Sequence, residues 1–205
     1  MTRSTMRTAI AALVLGAATA LTLAACGEQT GSDTAREAAT ATAGFNDADV
    51  AFAQQMIPHH QQAVQMAEMA RSHTRSADVR RLAAGIEAAQ GPEIETMTGW
   101  LEEWGEDVPG GHMAHGDMGH GMGRDGDGAM PGMMDGHRMG ALGRASDGAW
   151  DRMFLRMMIE HHEGAIEMAR AEVADGEHED AVALAERIIE TQQAEIDQMR
   201  QMLRS

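Results

Sequence analysis

Apolar residues recur at spacings of three and four along two separate stretches of the chain, the pattern of amphipathic helices. The first stretch starts after Asn46, an expected N-cap, and its pattern is interrupted over residues 72–76. A second helix follows, and Pro92 is expected to bend it. The later stretch has its expected cap at Ser146 and a turn at 175–176. Each stretch therefore predicts two helices joined by a short turn.

The two stretches are copies of one unit. Segment 56–60 reads Met-Ile-Pro-His-His and segment 158–162 reads Met-Ile-Glu-His-His, at a constant offset of 102 positions. Such a register, kept without a gap, indicates that residues 45–104 and 146–205 are two copies of a helical hairpin. The same offset relates the pairs Asp49/Asp151, Met66/Met168, Gln90/Gln192, Glu93/Glu195 and Met97/Met199.

Composition restricts the fold class. The 205 residues include three Phe, three Trp and no Tyr, which argues against a sheet protein. Two hairpins that are each apolar on one face are expected to bury those faces against each other. We therefore predict an all-α, four-helix bundle built from two duplicated helical hairpins, with Ala and Met filling a narrow core.

Between the hairpins, residues 105–145 are rich in Gly and show neither a helical nor a strand period. Four His and seven Met fall in this segment, which favours metal capture over the alternative of a plain solvated loop. We expect a long flexible connection that binds metal ions at several weak, exchangeable sites. Its candidate ligands are His112, Met113, His115, Met118, His120, Met122, Met130, Met133, Met134, His137 and Met139.

Residues 1–25 have the layout of a secretory signal, in which two Arg precede an apolar run. The run is shorter than the ~20 apolar residues that a membrane-spanning helix needs. It ends in Leu-Ala-Ala-Cys at 23–26, which resembles the bacterial lipobox and implies cleavage before Cys26 and lipidation of its thiol. The alternative is an ordinary signal peptide or membrane anchor with an incidental Cys. Residues 26–44 are expected to form a flexible tether.

Charge and cysteine content exclude several classes of protein. The net charge is −16, and all 16 basic residues are Arg without a basic patch, so the chain is a poor candidate for nucleic-acid binding. The single Cys excludes a disulfide framework and a thiolate-rich zinc or iron–sulfur site. The 19 Met and 10 His need a separate physical reason.

Methionine and histidine recur at helical spacing in the first helix of each copy. One Met lies a turn before the His pair and another lies two turns beyond it. Thioether sulfur is a soft ligand and imidazole a borderline one, so together they suit Cu(I) and, by the same argument, Ag(I). Zinc usually takes Cys, His or carboxylate, and thiolates outside the cytoplasm oxidise to disulfides. The candidate ligands on the helices are Met56, His59, His60, Met66, Met158, His161, His162 and Met168.

Core packing is the competing interpretation of these residues. An isolated Met on an apolar helix face is usually core, and we assign Met153, Met199 and Met202 to that class. The repetition of a His pair with flanking Met in both copies favours metal binding instead. His60 and His162 are expected nearer the centre of the apolar stripe, and the other His of each pair is expected beside it.

The sequence does not decide which histidine of each pair binds the metal and which is held by a neighbouring polar residue. One His of each pair is either a ligand or a residue that is held by a hydrogen bond. Position 58 is Pro whereas its equivalent, position 160, is Glu, so the two sites need not be equivalent. His73 and His178 lie at turns and are expected on the surface. The residues that either bind the imidazoles or form ordinary polar edges are Gln90, Gln192, Glu93 and Glu195.

The two segments that begin at Met56 and Met158, Met-Ile-Pro-His-His-Gln-Gln-Ala-Val-Gln-Met-Ala and Met-Ile-Glu-His-His-Glu-Gly-Ala-Ile-Glu-Met-Ala, resemble the signature of the bacterial family called domain of unknown function 305. The resemblance covers residues 45–205 apart from the central connection. It implies a ferritin-like helical bundle that is usually exported, with some members linked to copper binding and resistance. It does not imply a known catalytic activity.

From these patterns we expect a lipid-anchored, extracytoplasmic protein that binds Cu(I) or Ag(I) for copper sequestration, buffering or resistance, without being an enzyme. The expected partners are metal ions, the membrane through the N-terminal lipid, and a metallochaperone or copper exporter.

Two other functions stay open. The first is a ferritin-like, metal-dependent oxidase. Di-iron sites of that kind use Glu-x-x-His, but the positions three residues before the histidines are Met56, Ile57, Met158 and Ile159. This argues against di-iron and leaves a copper oxidase possible. The second is an interaction module of the cell envelope that binds no metal.

Overall fold

The computed structural model describes residues 44–110 and 130–205. Within them the chain forms five helices and no strand, which confirms the all-α class. The expected signal, the expected lipidation site Cys26, and all but the last residue of the tether lie outside the described residues. None of the described helices is long and apolar enough to cross a membrane. The helices are α1 (Asp47–His73), α2 (Ala77–Trp104), α3 (Gly136–Arg144), α4 (Asp147–Asp175) and α5 (Glu179–Met202).

The long helices start and end close to the predicted breaks. Asn46 caps α1, because its side-chain oxygen accepts hydrogen bonds from the backbone of Ala48 and Asp49. Ser146 occupies the cap position of α4, but its side chain makes no capping hydrogen bond within the described chain. Pro92 does not interrupt α2, which runs unbroken to Trp104.

The prediction that the connection lacks regular structure is wrong for its last part. Residues 136–144 form α3, whose first turn is capped by the Asp135 side chain, 2.7 Å from the backbone nitrogen of Arg138. Leu142 anchors the helix because its side chain is fully buried in the core. Met134 is also buried, at 5% exposure, so part of the expected flexible arm is packed against the helices.

Each repeat forms a hairpin, α1 with α2 and α4 with α5, and the hairpins meet through α1 and α4. These two helices are antiparallel. The Asn46 side chain at the start of α1 donates to the Asp175 carbonyl at the end of α4, at 2.8 Å. At the opposite end, the His73 ring donates to the Gly143 carbonyl, just before α4 begins, at 3.2 Å. The middle of α1 therefore faces the middle of α4.

The Asp49 carboxylate ties the start of α1 to the turn between α4 and α5. It accepts backbone hydrogen bonds from Asn46 at 2.6 Å, His178 at 2.9 Å and Glu177 at 3.2 Å. Burial alone would raise the pKa of Asp49, but the neighbouring Glu172 carboxyl group and the hydrogen bonds from these backbone groups lower it. Burial and the neighbouring Asp49 carboxylate raise the pKa of Glu172 to about 8. Glu172 is therefore protonated at neutral pH.

The raised pKa of Glu172 predicts a pH-dependent stability. A carboxyl group whose folded pKa is raised from 4.5 to about 8 stabilises the fold fully below pH 4.5, and the effect is lost as pH rises through 8. Between pH 6.5 and 8, this contribution to the free energy of unfolding should fall by at most about 1.4 kcal/mol per pH unit. Histidines of the unfolded chain, with an ordinary pKa of about 6.5, titrate in the lower part of the same window, and the buried His59 and His161 therefore add a contribution of opposite sign.

Urea unfolding should show that the free energy of unfolding of Glu172→Gln rises relative to that of the parent chain as pH increases across this window, because the histidine contribution is common to both proteins. Glu167→Gln is the control, since Glu167 is exposed on the same helix. An unchanged slope in Glu172→Gln would contradict the assignment.

Candidate metal centre

The centre of the interface between the repeats is a pair of histidines. His59 of α1 and His161 of α4 lie with their ring centroids 3.8 Å apart and their planes at 39°. Their exposed fractions are 0% and 1%. The expectation that these two rings lie beside the apolar stripe is wrong, because the stripe is covered by the equivalent helix of the other repeat. The duplicated histidines therefore meet each other.

The second histidine of each pair faces the partner helix of its own hairpin. Nε2 of His60 lies 2.8 Å from Oε2 of Glu93 on α2, and Nε2 of His162 lies 2.7 Å from Oε2 of Glu195 on α5. Both rings are fully buried. The sequence left both Gln and Glu as possible hydrogen-bond partners of the imidazoles, and in both repeats the observed partner is Glu. A carboxylate that holds one imidazole nitrogen fixes the ring and leaves the other nitrogen for a ligand.

Several buried nitrogens have no hydrogen-bond partner among the described residues. A buried polar atom left in this state costs about 1–3 kcal/mol, so it calls for a water, an ion or a ligand. The amide atoms of the buried Gln90 and the amide oxygen of Gln192 share this state. The imidazole atoms concerned are Nδ1 of His59, Nδ1 of His60, Nδ1 of His162, and both ring nitrogens of His161.

All four candidate sulfur ligands of the helices are buried. Met56, Met66 and Met158 are fully buried, and Met168 is 9% exposed. Met56 and Met168 belong to one packed core cluster, whereas Met66 and Met158 belong to the other. Each thioether pair therefore combines one Met from each repeat, as expected for antiparallel helices that cross at the histidines.

The environment keeps the paired imidazoles neutral. Burial lowers the pKa of His59 to about 4, against the opposing effect of its hydrogen bond to the Pro131 carbonyl, and nearby His60 and His162 lower it further. Burial holds the pKa of His161 well below its ordinary range, and the other three histidines add to the effect. Neutral imidazoles keep a lone pair on nitrogen, and a metal ion needs that lone pair.

The donor set limits which ion could bind. Across residues 44–110 and 130–205, no group of three or more His, Cys, Asp or Glu side chains is arranged to hold a metal ion. A site at the His59–His161 pair would therefore need ligands of another kind, such as the thioether sulfurs of the flanking core clusters. That combination fits a soft ion better than zinc or a hard cation.

The candidate ligands of the connection differ in burial, and only some of them belong to the described residues. Met130 and Met133 are half-buried, and Met134 lies in the cluster that contains Met66 and Met158. His137 is exposed on α3, and Met139 packs at the margin of that cluster. The remaining candidates lie outside the described residues, namely His112, Met113, His115, Met118, His120 and Met122.

Sequence reasoning missed several residues around the centre. The Pro131 carbonyl accepts a hydrogen bond from Nε2 of His59 at 2.9 Å, and no side-chain pattern could reveal a backbone acceptor. Gln62 contacts Met134, and Gly164 contacts Pro131. In the sequence, the only sign of their importance is that these two equivalent positions of the repeats carry different residues. His73 and His178 lie at the turns between helices, where both are half-buried and hydrogen-bonded.

Comparison with known proteins gives a consistent picture. The sequence profile described as "Domain of unknown function (DUF305)" matches residues 49–203. A DUF305 protein from Streptomyces coelicolor, described as a predicted secreted protein, is 32% identical, with a TM-score of 0.65 over 76% of this chain and 91% of its own. CopM in the Cu(II)-bound form is 36% identical, with a TM-score of 0.61 over 76% and 95% of the two chains. No curated protein matches the chain.

CopM has also been solved in other metal-bound forms. The Cu(I)-bound form is 32% identical to this chain, with a TM-score of 0.59 over 76% of this chain and 95% of its own.

The hydrogen bond to Pro131 predicts the proton position of His59 in the metal-free protein. A carbonyl can only accept, so Nε2 carries the hydrogen and Nδ1 is bare. Long-range ¹H–¹⁵N NMR at pH 7 should show this neutral tautomer, and His59 should stay neutral down to about pH 4. A bare Nε2, or protonation near the ordinary value of about 6.5, would contradict the geometry.

Proposed function

The chain belongs to the DUF305 family, and from that premise we propose that it is an exported protein that binds Cu(I), or Ag(I), between its two repeats. The metal is cargo that the protein sequesters or buffers, and the proposal includes no catalytic turnover. We further propose that the four long helices form one ferritin-like, four-helix bundle around the ion. In support, one core cluster combines residues of all four helices, such as Met66, Val79, Met158 and Ile196.

The observation that carries this proposal is the set of unpartnered imidazole nitrogens at the His59–His161 contact. Protein groups within residues 44–110 and 130–205 do not satisfy them, and buried thioethers from both repeats lie in the flanking core clusters. Thioether with neutral imidazole is the donor set that Cu(I) and Ag(I) prefer. Bound ions would offset the cost of burying these nitrogens.

The relatives support a copper or silver ion. CopM has been solved in Cu(I)-bound, Cu(II)-bound and Ag-bound forms, and these are 31–36% identical to this chain. The Cu(II)-bound form indicates that a related chain also accepts the harder oxidation state, which suits imidazole better than thioether. We propose Cu(I) for this chain because thioether sulfur is needed to complete its site.

The proposal places the protein outside the cytoplasmic membrane, held there by lipid on Cys26. The Streptomyces coelicolor relative is described as a predicted secreted protein, which supports export. Met and His of the connection would gather ions, and a metallochaperone or copper exporter would exchange them. The net charge of −16 concentrates cations near the protein and leaves their selection to the ligands.

Replacement of the four helix thioethers by Leu should weaken Cu(I) binding without unfolding the chain. Met→Leu nearly conserves volume, so each change costs less than about 1.5 kcal/mol of stability. The combined variant at positions 56, 66, 158 and 168 should lose more than about tenfold in Cu(I) affinity, since even outer hydrogen-bond partners of a metal site contribute that much. The measurement is competition of the mature chain with a Cu(I) chelator under anaerobic conditions.

The control is the pair Met97→Leu and Met199→Leu, which are equivalent positions in the repeats and are both fully buried. They should retain the affinity of the parent chain. Equal losses in test and control variants, or a parent chain that retains no Cu(I), would refute the proposed site.

A further inference from the structure

The last part of the connection crosses the interface between the repeats at the level of the histidine pair. We call residues 130–135 the strap. Its Pro131 carbonyl accepts from Nε2 of His59 at 2.9 Å. The Gln62 side chain binds the strap twice, because its Nε2 donates to the Met134 carbonyl at 2.8 Å and its Oε1 accepts from the Met134 nitrogen at 2.7 Å. The strap is thus fixed on α1 by three hydrogen bonds.

On the other side the strap lies directly on the backbone of α4. A Cβ atom at Gly164 would overlap the carbonyl oxygen of Pro131. Gly132 has φ +75°, and a Cβ atom there would lie 2.6 Å from the Glu160 carbonyl oxygen. Only glycine permits this approach at both positions. Any side chain at Gly164 must therefore lift the strap.

The two repeats differ where the strap lies. Gln62 and Gly164 are equivalent positions at the offset of 102, yet Gln62 forms hydrogen bonds with the strap, whereas Gly164 lacks a side chain that would collide with it. The equivalent of Pro58 is Glu160, which receives two hydrogen bonds from Arg138 of α3, at 2.7 and 2.6 Å, and so holds the segment that follows the strap. These differences between the two repeats all stabilise or permit one position of the strap against α1 and α4.

The strap also borders a surface cavity beside one candidate sulfur ligand. A surface cavity of about 280 Å³ is lined by Phe52, Pro131, Met168 and Glu172, among others. It therefore connects the strap with one candidate sulfur ligand. His59 and His161 themselves are buried beneath the strap.

We propose that Gln62 and Gly164 are positioning residues, which dock the strap so that Pro131 leaves His59 a single ligand nitrogen, Nδ1, and the strap slows exchange of the bound ion. His161 has both ring nitrogens without a partner in the described chain, so the strap makes the paired histidines inequivalent ligands. The inference rests on the proposed function, because it concerns exchange of the same ion. It adds that the connection controls access to the centre.

The test uses two variants that undock the strap by different means, Gly164→Ala and Gln62→Ala. Alanine favours the helix more than glycine does, so Gly164→Ala should not weaken α4 itself. The matched controls are Gly99→Ala, a helical glycine with open space around its Cβ position, and the exposed neighbour change Gln61→Ala. All are made in the full mature chain.

Two measurements are made on each variant. In the metal-free protein, ¹⁵N NMR should show that His59 loses its uniform Nε2–H tautomer in both undocked variants and keeps it in both controls. In the Ag(I)-loaded and Cu(I)-loaded proteins, release to a chelator should be about tenfold faster in the undocked variants, the factor that corresponds to one lost hydrogen bond.

The outcomes separate this inference from the proposed function. If the parent chain binds Cu(I), but tautomer and release rate are unchanged in both undocked variants, the role of the strap is overturned and the metal centre stands. If the parent chain holds no Cu(I) or Ag(I), the proposed function fails and the control of exchange fails with it. A changed tautomer together with faster release supports the inference.

Discussion

The burial of four imidazole rings on α1 and α4 constrains the rest of the structure. Each ring nitrogen without a partner costs about 1–3 kcal/mol, so the surroundings must supply acceptors or a ligand. Glutamates on α2 and α5 take one nitrogen of His60 and one of His162, and the strap takes one of His59. The remaining ring nitrogens have no partner among the described residues, and buried thioethers from both repeats lie in the two core clusters. A soft ion bound between the repeats would satisfy groups of both at once.

Duplication supplies this centre with two of every component, namely a histidine pair, two flanking methionines and a glutamate from each hairpin. The strap is single, because one connection joins the two repeats. It has therefore imposed different residues on equivalent positions, such as Gln62 and Gly164. In the proposed centre, the duplicated residues would provide the ligands, and the strap would determine which imidazole nitrogens are available.

The hairpins and the histidine pairs could be predicted because an offset of 102 residues is visible in the sequence alone, and the family because two segments resemble its signature. The duplication also suggests that the two clusters converge near a pseudo-twofold axis. The direct contact of His59 with His161 could not be predicted, because helical periodicity gives the buried face of a helix and not the neighbour that covers it. Helix α3 escaped prediction because three of its nine residues are Gly, which weakens the helical signal. The role of Pro131 depends on a backbone carbonyl, which side-chain patterns do not encode.

The most direct measurement is anomalous diffraction at the copper edge from crystals of the mature chain loaded with one equivalent of Cu(I). The predicted result is a copper peak at the interface of α1 and α4, within bonding distance of an imidazole nitrogen of His59 or His161 and of a thioether from Met56, Met66, Met158 or Met168. A peak found only in the central connection, or one surrounded by oxygen ligands at the surface, would contradict a metal centre built between the repeats.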